Sequence, residues 1–184
     1  MNDEMVSHRW KPRKKRGKTF MVQAGLFLLG RALEAAAVLD PDVRREVEGW
    51  KDPMTIMLHV HSEGPTMVLK KQDGVLRYAG SSPVDADLTI FFKNLESAFL
   101  VFSAQMSSPQ GSAEHRVSLK GDAGQAMSLI RCMETTQAYL FPKFIAKNVL
   151  KKVPPMTLKR AGVRAAILGV GVPIGLGRFA GLVR

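Results

Sequence analysis

The chain has 184 residues, 46% of them hydrophobic, and a formal net charge of +11. That is enough apolar material for one compact core with an appendage. The single cysteine, Cys132, excludes an internal disulfide framework and fits a reducing compartment.

The charge is unevenly placed. Residues 1–18, MNDEMVSHRWKPRKKRGK, carry +5, and residues 143–184 carry nine Lys/Arg and no acid, which leaves −3 for the middle of the chain. Basic ends attract polyanions, either nucleic acid or an anionic membrane surface. Residues 1–18 are too polar to offset the entropy of ordering and read as a basic flexible tail. Trp10 alone is a poor stacking platform, so nucleic acid is the weaker partner. No uncharged apolar run reaches the roughly 20 residues of a membrane span, and the N-terminus lacks the apolar stretch of a secretory signal. A cytoplasmic location is therefore expected, with peripheral contact at the inner membrane face.

In chain order, residues 20–39 predict a helix with Leu26, Leu29, Leu33, Ala36 and Ala37 at helical spacing. Asp40-Pro41 ends it, and DPDVRREVEGW can start a short second helix. The period then changes to two: Met54, Ile56, Leu58 and Val60 alternate with Thr55, Met57, His59 and His61, predicting a strand with one buried face. Asp73-Gly74 between two strand-like runs is a hairpin signal. DLTIFF, residues 87–92, predicts a fourth strand. Asn94 reads as an N-cap for a helix bearing Leu95, Ala98, Phe99 and Phe102. HRVSLK predicts a fifth strand with Val117 and Leu119 turned inwards. Gly121 permits a tight corner, and Asp122 caps a helix whose expected buried stripe is Ala123, Ala126, Met127, Ile130 and Met133. FPKFIAKNVLKKV is a last amphipathic piece. Short connections between strands favour antiparallel pairing, so the fold class is α+β.

Three motifs then carry a resemblance. G-D-x-G-x-A-M-x-L, from Gly121 through Asp122, Gly124, Ala126 and Met127 to Leu129, follows the strand V-S-L-K. With the Asp73-Gly74 hairpin, and with D-A-D-L-T-I running into N-L-E-S-A-F, it resembles the sterol carrier protein-like lipid-binding domains. The resemblance covers roughly residues 50–140, with helix 20–39 as the leading helix, and implies a domain over 19–153. It implies a five-stranded, mainly antiparallel sheet covered by helices, with an apolar tunnel between the layers. It also implies a non-catalytic function: binding and transfer or presentation of fatty acyl chains, sterol-like or isoprenoid amphiphiles.

A tunnel needs apolar side chains from both layers. The candidates are Ile56, Leu58, Leu88 and Ile90 on strands, Phe99 and Phe102 on one helix, and Met127, Ile130 and Met133 on the next, with Phe141 and Phe144 closing the mouth. The same residues would also make an ordinary packed core.

Other signals carry less. His59 and His61 share a strand face but lack an evident third ligand, so no metal is expected. Cys132, His115 and Asp122 have no distinguishing catalytic spacing, and a small buried thiol is the expectation for Cys132. GVGVPIGLG lacks a preceding strand and a Gly-Lys-Ser/Thr ending, so no nucleotide and no cofactor is expected. Residues 154–184, apolar, glycine-rich and studded with Arg, suit a membrane contact, a flap over the domain's own opening, or a homodimer contact. The alternative function is an accessory module with a closed core, serving a lipid- or quinone-metabolising enzyme complex.

Overall fold

The structure, a computed structural model, describes residues 16–60, 64–102 and 116–140, together with 162, 165, 166 and 169. Helix α1 spans Arg16–Leu39 and so begins inside the stretch expected to be tail. Lys18 is ordered by an ion pair with Glu96 and by the Phe99 ring, whose centroid lies 5.4 Å away. Leu26, Leu29, Leu33 and Ala36 are buried as their spacing predicts, whereas Ala37 is half-buried. Arg31 and Glu34 are the only charges between Thr19 and Leu39, so α1 is long and apolar enough to cross a membrane. Instead, 44% of that window is buried inside the fold. Its outer side leaves Phe20 74% and Met21 57% exposed.

Helix α2, Pro41–Glu48, starts where Asp40 accepts the amides of Asp42 and Val43 at 2.7 and 3.2 Å, and it buries Val43 and Val47. Proline at its first position wastes no hydrogen bond there. Five strands follow the predicted order: β1 Met54–Val60, β2 Thr66–Gln72, β3 Val75–Gly80, β4 Leu88–Phe92 and β5 Val117–Lys120. At the β2–β3 hairpin, Asp73 and Gly74 have φ of 52° and 73°. Two consecutive positive φ values match the twist of the strands, which is why Asp-Gly stands there. The Asp52 carboxylate accepts both turn amides, at 3.1 and 2.6 Å.

The sheet order is β3-β2-β1-β4-β5. Three pairings are antiparallel, but β1 and β4 run parallel, with Ile56 opposite Leu88 and Leu58 opposite Ile90. The short connections did not anticipate this pairing. β2 already occupies one edge of β1, so residues 81–87 return the chain to the start of β1's free edge. There the Thr55 amide donates to the Asp87 carboxylate at 2.8 Å, and the Asp87 amide donates to the Thr55 carbonyl at 3.0 Å.

Helix α3, Leu95–Phe102, is capped by Asn94, which accepts the Ser97 amide at 2.8 Å. Helix α4, Ala123–Leu140, begins after Gly121 and Asp122. Gly121 has φ of 122°, and a Cβ there would sit 2.5 Å from the Asp87 carbonyl oxygen, so only glycine lets this corner touch β4. Asp122 accepts the Gln125 amide at 2.8 Å. The corner is thus specified for packing and capping.

The inner face of the sheet packs against α1, α3 and α4 in a single apolar cluster that runs from Leu26 and Leu33 through Ile56, Leu58 and Leu88 to Met133. At Gly30, α1 approaches so closely that a Cβ would lie 2.5 Å from the Tyr78 ring and 2.9 Å from the Met67 sulfur. Two positions of the stripe expected to be buried on α4, Ala123 and Met127, are exposed instead. Met127 is 53% exposed, because α4 turns Ala126, Leu129 and Met133 inwards while Ser128 and Cys132 are buried on a further side. Leu119 keeps the inward face expected for it, opposite Ile90, but is 44% exposed on edge strand β5. The expected boundary between 153 and 154 lies outside the described residues.

Candidate functional site

The candidate site is the apolar interface between the sheet and its helices. β1 and β4 bring Ile56, Leu58, Leu88 and Ile90 side by side, because alternate residues of paired strands share a face. Ile56, Leu58 and Leu88 have no exposure, and Ile90 and Met133 are buried with them. Phe99 is half-buried against this cluster. Ile130 is half-buried, and Met127 projects outwards, away from the five buried residues. The side chain of Phe102, and Phe141 and Phe144 entirely, lie outside the described residues.

Leu119 marks the rim. It stands opposite Ile90 in the β4–β5 register and therefore shares its face. Ile90 is 5% exposed and Leu119 44%. Val117, two residues earlier on the same face, packs against the core cluster, so among the described residues the cover of this face runs out at Leu119.

A second, polar region joins α2 to α4, and the sequence reading missed it. The Arg131 guanidinium donates twice to the Glu46 carboxylate, from Nε at 2.7 Å and from Nη2 at 2.8 Å. The Ser128 hydroxyl donates to Glu46 at 2.6 Å and accepts from the Trp50 indole N–H at 2.7 Å. Farther along α4, the Tyr139 hydroxyl donates to the buried Asp40 carboxylate that also caps α2. Hydrogen bonds from Arg131, then from Ser128, lower the Glu46 pKa to about 2. Beside this seam lies a cleft of about 290 Å³, between Glu46, Arg45, Asp42 and Arg131. Its charged walls suit water better than a hydrocarbon chain.

The chemistry of the remaining candidates follows from their surroundings. Burial pushes the Cys132 thiol up to about 12, with Glu46 adding to the effect, so it stays protonated at neutral pH. Asp122 is engaged as a helix cap, and His115 lies outside the described residues. His59 is half-buried, bonded through Nδ1 to the Thr66 hydroxyl at 2.7 Å and edge-on to Phe91. His61 lies outside the described residues, and among those described no cluster of three or more His, Cys, Asp or Glu could hold a metal ion. Arg31 is 6% exposed, bonded to Glu34 at 2.8 Å and stacked over the Tyr78 ring at 4.9 Å. The rings and the carboxylate together offset the cost of burying its charge.

No protein-family model matches the chain, and no curated protein does. Solved structures do. The UbiJ-SCP2 ubiquinone synthesis protein is 15% identical over 69% of this chain and 97% of that one, with a TM-score of 0.41. Sterol carrier protein 2 like 2 from Aedes aegypti is 13% identical over 63% and 96%, with a TM-score of 0.38. The palmitated form of that mosquito protein, solved in solution, is 13% identical over 65% and 93%, with a TM-score of 0.39. Likeness at this level transfers neither a ligand nor a residue role. These solved structures bear sterol carrier protein 2 names, the family that the sequence motifs resemble.

Proposed function

We propose that the chain binds a long-chain amphiphile, such as a fatty acid or an isoprenoid, between the sheet and its helices and presents it at an anionic membrane surface, without catalysis. The observation that carries this reading is the open rim at Leu119: an inner-face residue left 44% exposed beside the fully apolar strip of Leu58, Leu88 and Ile90. A hydrocarbon chain sliding in at that rim would gain about 0.8 kcal/mol per methylene removed from water. The membrane part is supported by the outer side of α1, where Phe20 and Met21 stand exposed directly after a run of Lys and Arg. Apolar side chains next to basic residues suit the headgroup boundary of an anionic bilayer.

The test is native mass spectrometry of the full chain, followed by titration with a fluorescent fatty acid. The reading expects bound lipid mass at one or two guests per chain, or saturable binding after delipidation, weakened by Leu119→Lys. Protein that carries no lipid and does not bind the probe would overturn it. A second reading, an accessory module with a closed core, is favoured by one observation. At Gly30 the layers touch so closely that not even a Cβ fits. It expects a chain without guest whose effect appears only with a partner enzyme.

A further inference from the structure

The sheet has two faces, and every described helix with inner-face partners serves the same one. Along β1, Met54, Ile56, Leu58 and Val60 belong to the core cluster with α1 and α4, and Met57 does not. Yet Met57 is only 7% exposed. Its partners in the register are Val68 on β2 and Thr89 on β4, at 2% and 1% exposure. The next row across the same strands is Thr66, His59 and Phe91, of which Thr66 is 1% exposed and the others half-buried. A sheet face turned to water shows alternating burial; strands buried on both faces lie between two layers. One row further along, Lys70 is exposed and Thr55 half-buried, so the covered patch has an end.

The patch is buried within a single chain, so the cover belongs to this chain. The described helices are committed to the inner face. Residues 61–63 only join β1 to β2. Residues 103–115, SAQMSSPQGSAEH, offer Met106 as their one large apolar side chain, and residues 1–15 are dominated by charge. The segment after α4 is different: residues 141–184 carry Phe, Ile, Leu and Val throughout and contain no acid. Within it Ala165 and Ala166 are helical, with Ala166 half-buried.

We infer that the outer face of the sheet, centred on Met57, Val68 and Thr89, is a docking surface for the chain's own C-terminal segment, residues 141–184. The contact is apolar. Lys70 and Arg77 stand opposite each other on the exposed part of this face, like in sign to the segment's nine Lys/Arg. Nothing in this arrangement requires a guest between the layers, so it stands or falls apart from the lipid reading.

Photo-methionine, close in shape to methionine, incorporated into the dilute full chain tests it. Tandem mass spectrometry should place the Met57 cross-link within residues 141–184 of the same molecule. A Met57 link to 103–115, a link between two molecules, or none would overturn the inference. In the full chain, the pairs Ile145→Glu with Val149→Glu and Ile167→Glu with Leu168→Glu complete the test. At least one pair should abolish the link and let Val68→Cys react with a maleimide at least about tenfold faster, as expected when a local cover opens. If both pairs leave link and labelling unchanged, the segment is not the cover.

Discussion

The apolar layer between α1 and the sheet and the polar seam between α2 and α4 hold the same molecule together by different physics. In the first, Leu26, Leu33, Ile56 and Leu58 contribute by area alone, a force without direction that tolerates rearrangement. In the second, Glu46, Arg131, Ser128 and Trp50 are fixed by hydrogen-bond geometry, which sets one register between two helices. The difference teaches where a guest can be accommodated. Side chains held by area can shift around a hydrocarbon, whereas a seam of paired charges cannot yield without losing partners.

The sharpest probe of this contrast is Leu58→Ala in the layer. It should cost about 3 kcal/mol in chemical denaturation if neighbours only partly refill the space, and delipidated protein should regain part of that when a fatty acid is added. A cost below about 1 kcal/mol would mean the layer is already loose. Gly30→Val should cost about 2 kcal/mol through overpacking against Tyr78 and Met67, read as a lowered Tm. In the seam, Tyr139→Phe removes one hydrogen bond from the buried Asp40 carboxylate and should cost about 1–2 kcal/mol without affecting lipid binding. Asp122→Ala, at the cap of α4, should cost about 1 kcal/mol.

The smallest effect has the clearest signature. Glu46 is held at about 2 in the folded chain against an ordinary 4.5. A lowered carboxylate pKa stabilises fully above about 4.5, and that contribution is lost as pH falls toward about 2. Glu46→Gln should therefore cost only about 0.5–1 kcal/mol at neutral pH, since the pair is partly solvated, and should flatten the acid side of the stability profile across that window. The layer variants should leave the profile's shape intact, and an identical profile for Glu46→Gln would break the comparison.

What the sequence made legible was what local chemistry decides. The caps Asn94 and Asp122 and the Asp73-Gly74 turn act within three residues of themselves, and the stripe of α1 repeats along one helix. The parallel β1–β4 pairing was hidden because it depends on which edge of β1 remains free. The seam was hidden because Ser128 and Glu46 lie 82 positions apart, and Tyr139 and Asp40 lie 99 apart. Met127 was misassigned because α4 packs on both α1 and α2, which rotates its buried side away from a single stripe. Of the candidate site, the strand residues followed from alternation, while the open rim at Leu119 followed only from where the cover of that face runs out.

The sheet order also sets a timetable for a chain emerging from the ribosome. β1, β2 and β3 can zip together, and α1 can settle on β2 and β3, once about the first 80 residues are free of the exit tunnel. α2, however, must wait for α4, the last described helix, before Glu46 and Asp40 meet their partners. For the whole intervening stretch of synthesis α2 lacks its contacts with α4, so its Glu46 and Asp40 carboxylates stay without those partners in the nascent protein.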